Sequence, residues 1–333
     1  MSKKMHITLA LLTLNLLITA LTRPSYSLLV LNLTVKTNKQ NYNVGETVQV
    51  TGNLTINDYP VPDGLIAVEI DHSAGTLIYR TLKTGITPTT RWKIQLIDAY
   101  VGDGSGNRLT NVKRGSENYI WIWYNNSGTE TVYTVLTFTI YDSNSVPLSS
   151  AAPAMLSVAP GGPYYTYTTW AVPSGAALGT ATIYANAFTE LPKNNGTPHY
   201  PEISSTFNIV TTTSSTTPYT SETTQSTYEE GTYNLTFHIP KNGAKLGTHT
   251  VYVSTYYLEL QATNTTTFEV KLLGDINGDG FVKIGDIVLV IGYFGTTSSS
   301  PNWNPKADLN GDGKVTISDI VLTINNFGNS GIY

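Results

Sequence analysis

Short runs of alternating apolar and polar residues dominate the chain, and this period of two is typical of half-buried β-strands. Residues 28–90 contain four such runs: LNLTVKT, TVQVTGNLTI, LIAVEID and LIYRTL. Gly, Pro, Asn and Asp fill the intervals between the runs, as hairpins and corners require. We therefore predict a first group of four strands.

Residues 91–210 contain a second group of strand-like runs: WKIQLIDAYV, YIWIWYNN, VYTVLTFTIYD, YYTYTTWAV, TATIYANAF and STFNIV. Six or seven strands in about 120 residues are enough for one complete immunoglobulin-like sandwich. The second group is therefore predicted to be a sandwich of its own.

One strand of the second group is unusually rich in aromatic residues. Alternation divides its side chains into two sets: Tyr119, Trp121 and Trp123 on one face, and Ile120, Ile122 and Tyr124 on the other. An exposed aromatic face would form a flat platform for stacking sugar rings, whereas a face turned to the opposite sheet would be ordinary sandwich core. We favour the core interpretation.

A segment without aliphatic core-forming side chains, TTTSSTTPYTSETTQSTYEE, follows the second group. Such a segment cannot offset its ordering entropy, so residues 211–230 are predicted to be a flexible linker. Beyond it, residues 237–254 (FHIPKNGAKLGTHTVYVS) repeat the pattern of residues 170–186 (WAVPSGAALGTATIYAN). The shared Gly-Ala-x-Leu-Gly-Thr-x-Thr indicates one strand-corner-strand unit that is used twice.

The repeat changes the expected domain order. Residues 231–270 supply only three strands, and three strands alone leave two bare faces. Because residues 28–90 also lack a closing set, we predict a discontinuous immunoglobulin-like sandwich from residues 28–90 with 231–272. The second sandwich, residues 91–210, and the linker are then inserted in one of its loops. The alternative is a linear string of short modules.

The N-terminal residues have the order of a secretory signal peptide. Lys3 and Lys4 precede the apolar run ITLALLTLNLLITAL, and Ser25-Tyr26-Ser27 offers a small-residue cleavage site. The run is about 15 residues, shorter than the roughly 20 that cross a bilayer. Residues 1–27 are therefore predicted to be removed, with an uncleaved anchor as the alternative. The mature chain is expected to be extracellular, secreted or associated with the cell surface, without a membrane span.

Composition excludes several classes of function. The chain has no cysteine, which rules out disulfides and thiolate metal sites. Its 19 basic and 23 acidic residues give a net charge of −4, and no Lys/Arg cluster offers a footprint for nucleic acid. No zincin, nucleophile-elbow, Walker-type or dinucleotide-binding motif occurs in the sequence. We therefore predict a mainly β protein that is not an enzyme.

The C-terminal segment carries the sharpest chemical signal, two twelve-residue sequences that begin 33 residues apart, DINGDGFVKIGD and DLNGDGKVTISD. Both have oxygen-bearing side chains at positions 1, 3, 5 and 12 and Gly at position 6, as calcium loops do. A main-chain carbonyl at position 7 completes the protein ligands, so we predict two Ca²⁺ ions. The predicted ligands are Asp275, Asn277, Asp279, Phe281 and Asp286 in the first loop, and Asp308, Asn310, Asp312, Lys314 and Asp319 in the second.

A helical period follows each loop, and no helical period precedes the first one. The apolar positions are Ile287, Val290, Ile291 and Phe294, and then Ile320, Thr323, Ile324 and Phe327, with Gly295 and Gly328 as helix stops. By contrast, the strand-like TTFEV leads almost directly into Asp275. A loop followed by a helix, used twice and without entering helices, is therefore expected.

This duplicated unit resembles dockerin, over residues 274–328. The resemblance implies a small α-helical, calcium-folded module at residues 273–333, with near two-fold symmetry, that binds a cohesin-like domain. Well-characterised dockerins often carry Ser-Thr before the position-12 Asp, whereas this chain has Ile284-Gly285 and Ile317-Ser318. The departure concerns the residues that would face a partner.

The sandwiches also resemble known extracellular families. NYNVGETVQVTGNLTINDYPVPDGLIAVEID is similar to the opening of macroglobulin-type immunoglobulin-like domains. KRGSENYIWIWYNNSGTETVYTVLTFTIYDSNSVPL is similar to CARDB-type sandwiches of microbial surface proteins. Both resemblances imply a β-sandwich scaffold, and a scaffold does not specify a ligand.

Two hypotheses of function follow. In the first, a secreted non-catalytic protein uses its dockerin-like tail to attach β-sandwiches to a cohesin-bearing surface or a polysaccharide-degrading assembly. In the second, a structural or adhesive cell-surface protein uses calcium only to stabilise its C-terminus, where the tail closes on its neighbouring sandwich. A carbohydrate-binding accessory role is a further alternative. Exposed apolar helix faces in the tail would favour the first hypothesis.

Overall fold

The computed structural model describes residues 28–88, 92–212 and 229–333; the predicted signal peptide and most of the predicted linker lie outside these described residues. The strands in chain order are β1 (Leu31–Leu33), β2 (Lys36–Thr37), β3 (Asn41–Asn43), β4 (Thr47–Ile56), β5 (Tyr59–Pro60), β6 (Leu65–His72), β7 (Ile78–Lys83), β8 (Ile94–Gly102), β9 (Asn111–Lys113), β10 (Glu117–Asn126), β11 (Val132–Tyr141), β12 (Pro147–Val158), β13 (Gly161–Ala171), β14 (Gly179–Phe188), β15 (Ile203–Val210), β16 (Thr232–His238), β17 (Ala244–Lys245), β18 (Gly247–Tyr257), β19 (Leu260–Lys271) and β20 (Gly331–Ile332). The two α-helices are α1 (Ile284–Gly292) and α2 (Ile317–Asn325). The predicted class, mainly β with a small helical module, is confirmed.

The first sandwich draws its strands from two distant parts of the chain. One sheet contains β1, β2, β4, β5 and β16, and the facing sheet has the order β3-β19-β18-β6-β7. β4 pairs antiparallel with β16, and β6 pairs antiparallel with β18. Residues 31–83 and 232–271 therefore share both sheets and one apolar core, which includes Val50, Ile70, Phe237, Val251 and Phe268.

The second sandwich lies between these two parts in sequence. A three-stranded sheet, β13-β10-β8, faces a five-stranded sheet, β12-β11-β14-β15-β9. Strand β12 was not predicted, because its sequence, PLSSAAPAMLSV, has no clear alternation and contains two prolines. Prolines are tolerated there because β12 is an edge strand. The division of the chain into separately folding domains stays a prediction.

The aromatic face does not turn to the opposite sheet, so the core interpretation is wrong in orientation, although Trp121 is itself buried. Ile120 and Ile122 are completely buried in the core of the second sandwich, and Tyr124 packs beside them. Because side chains alternate along β10, Tyr119, Trp121 and Trp123 lie on the outer face of the three-stranded sheet. The sequence predicts the two sets correctly but does not indicate which set faces inward.

A buried histidine makes the first sandwich sensitive to acid. His249 stacks on Phe268 with ring centroids 5.0 Å apart, and burial lowers the pKa of His249 to about 4. The unfolded chain, with a histidine pKa near 6.5, takes up this proton first, so stability is lost as pH falls from about 6.5 to about 4. The expected loss is about 3 kcal/mol.

We expect the variant His249→Phe to retain the ring stack and to lose this part of the acid dependence. Urea unfolding of both proteins at pH 7.5 and at pH 4 measures this dependence. Between the two pH values, the free energy of unfolding should fall by about 3 kcal/mol more in the wild type than in the variant. Parallel pH profiles for the two proteins would contradict the assignment.

Among residues 28–88, 92–212 and 229–333, no helix has both the length and the apolar composition needed to cross a bilayer.

Candidate calcium loops and their helix faces

The first residue of each loop organises the turn around its carboxylate. Asp275 Oδ1 accepts hydrogen bonds from the main-chain N–H groups of Gly278 and Asp279, at 2.8 and 3.0 Å, and its Oδ2 accepts from Gly280 at 3.0 Å. Gly280, at position 6, has φ +81°, the left-handed conformation that favours glycine. The predicted sharp turn is therefore present.

The second loop repeats this arrangement. Asp308 accepts hydrogen bonds from the N–H groups of Asp312 at 3.1 Å and Gly313 at 2.9 Å, and Gly313 has φ +84°. The two loops therefore fold alike, as their shared sequence predicts.

The residues at positions 3 and 5 are held next to each other. In the first loop the Asn277 amide oxygen accepts from the Asp279 N–H at 2.9 Å, and the Asn277 Nδ2 donates to Asp279 Oδ2 at 3.2 Å. The corresponding distances between Asn310 and Asp312 are 3.0 and 3.1 Å. Each loop therefore gathers carboxylate and amide oxygens on one side of the turn.

The aspartates at position 12 are completely buried and connect each loop to its helix. Asp286 Oδ1 accepts from the Ile276 N–H at 2.9 Å, and Oδ2 accepts from the Lys283 N–H at 2.8 Å. Asp319 makes the equivalent bonds to Leu309 and Thr316, both at 2.8 Å. These carboxylates close the loop and also cap the first turn of α1 and α2.

The charge of the loops fits a hard cation. Among the described residues, the ion pair from Lys283 to Asp279, at 3.7 Å, is the one salt bridge that involves a loop aspartate. Asp275 and the two position-12 aspartates are buried without a cationic side chain, which is costly unless a metal ion balances the charge. The carbonyls of Phe281 and Lys314 would add neutral oxygen atoms.

Within the described ranges, no three His, Cys, Asp or Glu side chains form a closed metal cluster. The predicted donor set is of a different kind, because in each loop it would combine an Asn amide, a main-chain carbonyl and water with the carboxylates. Which atoms coordinate the ion stays a prediction.

The helices pack on each other through one face. Val290 of α1 and Thr323 of α2 are completely buried, and Val290 forms a small core with Ile276, Ala307 and Val315. The predicted apolar positions therefore divide into two sets, because Ile291 and Phe294, and likewise Ile324 and Phe327, are exposed.

The opposite faces of both helices are apolar and exposed. The exposed residues recur at the same spacing 33 residues apart: Ile284, Val288, Ile291 and Phe294 on and beyond α1, and Ile317, Val321, Ile324 and Phe327 on and beyond α2. We call these two sets the helix faces. The sequence indicates Ile284 and Ile317 by their place before the position-12 aspartates, but the predicted apolar period does not include Val288 and Val321.

The tail also contacts the first sandwich, through its C-terminal strand β20 and through Val282. β20 pairs parallel with β17, the Leu246 N–H donates to the Ile332 carbonyl at 2.8 Å, and Val282 is buried in the sandwich core. The Tyr333 hydroxyl donates to Asp275 Oδ2 at 3.0 Å. These contacts leave the helix faces uncovered.

Residues 273–328 match the family model described as the dockerin type I domain. Dockerin type I domains bind calcium, and the matched residues include both loops and both helices. The predicted resemblance of the tail is confirmed. A search of the curated proteins finds no match.

Solved structures give weaker similarities. A mutant type II cohesin-X-dockerin complex from Acetivibrio cellulolyticus is 25% identical, with 30% of this chain and 70% of that chain covered and a TM-score of 0.17. An alkylpurine DNA glycosylase of Pseudomonas fluorescens is 8% identical (36% and 31% covered, TM-score 0.28), and a mutant Salmonella alpha-2-macroglobulin is 9% identical (73% and 23% covered, TM-score 0.25).

This chain spans less than a third of the glycosylase and less than a quarter of the macroglobulin. At these TM-scores the three similarities carry no argument about fold or function. The resemblance of the sandwiches to macroglobulin-type and CARDB-type domains stays a prediction.

Proposed function

We propose that this chain is a secreted, non-catalytic protein whose dockerin domain docks its β-sandwiches onto a cohesin-type domain of an extracellular, polysaccharide-degrading assembly. Two Ca²⁺ ions, one in each loop, hold the docking surface in shape. The proposal combines the matched dockerin family with the surface that the fold leaves uncovered.

The observation that carries the proposal is the pair of helix faces. Each presents four large apolar side chains, and each of the eight has 47% or more of its surface exposed. A contiguous exposed apolar surface on a small domain marks an interaction site more often than it marks chance. Because the two faces repeat at a spacing of 33 residues, a partner meets similar chemistry on either helix.

A cell-surface structural role is the second candidate, supported by the contacts of β20 and Val282 with the first sandwich. In that case calcium fixes the C-terminus and the tail needs no partner. The two roles make different predictions for the helix faces, since a purely structural tail does not need them exposed.

The docking proposal is tested with the mature chain and a panel of immobilised cohesin domains, with and without calcium. We expect calcium-dependent binding to at least one cohesin, and about a hundredfold weaker binding by the double variant I284D/I317D. The loss is large because each change places a charge where an apolar side chain would be desolvated.

The matched control is Met155→Asp, which places the same charge at a residue of β12 that is 55% exposed and far along the chain from the dockerin domain. It should bind like wild type. The proposal is wrong if no cohesin binds the wild-type chain, or if I284D/I317D binds as tightly as M155D.

A further inference from the structure

The outer face of the three-stranded sheet carries six aromatic rings in adjacent positions. The strand register places Tyr167 beside Trp121 and Tyr165 beside Trp123, and the neighbouring strand places Tyr100 beside Trp121. We call the following residues the aromatic grid: Tyr100, Tyr119, Trp121, Trp123, Tyr165 and Tyr167.

Five of the six rings of the grid, all but Tyr100, contact one another in an unbroken series. The Trp121 and Tyr167 centroids are 4.6 Å apart, those of Trp121 and Tyr165 are 5.5 Å apart, and those of Trp123 and Tyr165 are 5.0 Å apart. Tyr119 extends the series, 6.0 Å from Tyr167. From Tyr119 to Trp123 the strand advances roughly 13 Å, which is longer than one sugar ring.

Hydrogen bonds within the protein fix the two tryptophans. The Trp121 indole N–H donates to the Asp103 carbonyl at 3.1 Å, and the Trp123 indole N–H donates to the Tyr100 hydroxyl at 3.3 Å. Their polar atoms are therefore satisfied within the protein, and a ligand that covers the rings does not displace these hydrogen bonds. Pre-organised rings also lose little conformational entropy on binding.

The tyrosines on β13 form the accessible part of the grid. Tyr165 and Tyr167 are 53% and 54% exposed on an edge strand of the sheet, above the tryptophans. Cross-strand aromatic pairs stabilise a sheet by about 1 kcal/mol each. That contribution needs contact between the rings, and it does not explain why the outer rings remain half exposed.

The charged side chains of this face indicate which class of ligand it can bind. On this face Asp98 and Arg108 neutralise each other at 2.5 Å, and the Arg108 guanidinium lies over the Tyr100 ring, 4.5 Å from its centroid. Alternation along β10 also places the exposed Glu117 here, so the face is acidic rather than basic. A nucleic acid would need uncompensated basic groups along the rings. The face instead offers aromatic rings, whose electron-rich faces attract the C–H groups of a sugar, and tyrosine hydroxyls that hydrogen-bond to sugar hydroxyls.

We propose that the aromatic grid binds a neutral, β-linked polysaccharide, with successive sugar rings lying over Tyr165 and Tyr167, which rest on the buried Trp121. An extended β-linked chain matches a straight row of rings on a sheet, whereas a coiled α-linked chain would not follow it. This site is separate from the dockerin domain, so it gives the docked protein a contact with substrate.

The experiment is affinity electrophoresis of the full mature chain in gels that contain hydroxyethylcellulose, glucomannan or arabinoxylan. We expect retardation by at least one of these neutral polymers, and at least a tenfold weaker apparent affinity for the double variant Y165A/Y167A. The variant Y165F/Y167F keeps the rings and should retain most of the binding. It therefore shows whether an alanine effect comes from lost stacking or from misfolding.

The matched control is Tyr256→Ala, which removes a tyrosine that is 56% exposed on β18, outside the grid. It should be retarded like wild type, and EDTA should leave the retardation unchanged. The proposal is overturned if none of the three neutral polymers retards the wild type, if polygalacturonate alone does, or if Y165A/Y167A matches Y256A. Self-association through the grid without glycan binding would also overturn it.

Discussion

Chelation of calcium is expected to unfold the dockerin domain while both sandwiches stay folded. The domain has only two nine-residue helices and a small core around Val290 and Val315. Without cations, several buried or half-buried aspartates in its loops repel one another with no basic partner. At calcium a thousandfold above the dissociation constant, each site adds about 4 kcal/mol to the free energy of unfolding.

Hydrogen exchange measured by mass spectrometry separates the three regions in one experiment. With EDTA we expect amides of residues 284–292 and 317–325 to lose protection, while those of β10, β11 and β18 keep it. The single variants D286A and D319A should each lose protection as if one loop had lost its calcium. The control Glu130→Ala removes an exposed acid outside the loops and should leave the protection unchanged. A tail that stays equally protected with and without calcium would show that the loops are not metal sites.

The parts of the structure that short-range chemistry controls could be predicted from the sequence. Gly280 and Gly313 are needed for positive φ angles, and the aspartates at positions 1 and 12 accept hydrogen bonds from N–H groups at most ten residues away. The absence of an entering helix is equally local, since β19 ends at Lys271 and only three residues separate it from Asp275. These features are properties of each loop rather than of the whole fold.

Features that depend on distant partners could not be predicted in the same way. Along β10 both alternating sets are apolar, so hydrophobicity does not decide whether the isoleucines or the tryptophans face the opposite sheet. The pairing of β20 with β17 joins residues 87 positions apart and involves two residues in each strand. No local pattern distinguishes such a short strand from an irregular C-terminus.

The contact between the two sandwiches is a further feature that could not be predicted from the sequence. Ala67 and Tyr79 of the first sandwich form an apolar cluster with Val135 and Phe188 of the second. Beside it, the completely buried Glu69 carboxylate accepts a hydrogen bond from the Lys193 main-chain N–H at 2.9 Å, and burial raises the pKa of Glu69. Residues about 120 positions apart thus form a polar and apolar interface that fixes one sandwich against the other.

The strongest single contact of this interface is the bidentate pair of Arg80 and Glu202, and removal of one partner is expected to cost about 3–5 kcal/mol. Arg80 Nε and Nη2 donate to the two carboxylate oxygens at 2.8 and 2.6 Å, and both side chains are largely buried. The guanidinium also stacks 3.6 Å from the Tyr184 ring centroid. Among the described residues, the variant Arg80→Met leaves the Glu202 carboxylate in the interface with only the Thr81 N–H as a donor.

A double-mutant cycle distinguishes the lost pair from lost packing. In urea unfolding followed by circular dichroism, R80M and E202M should each lower the stability strongly, while R80M/E202M should recover most of the loss because no unpaired charge remains. The matched control is the pair of Arg108 and Asp98, where both side chains are more exposed and R108M should cost at most about 1 kcal/mol. If R80M/E202M is as unstable as the sum of the single variants, the two residues act independently, and the interface is then held by its apolar cluster rather than by the ion pair.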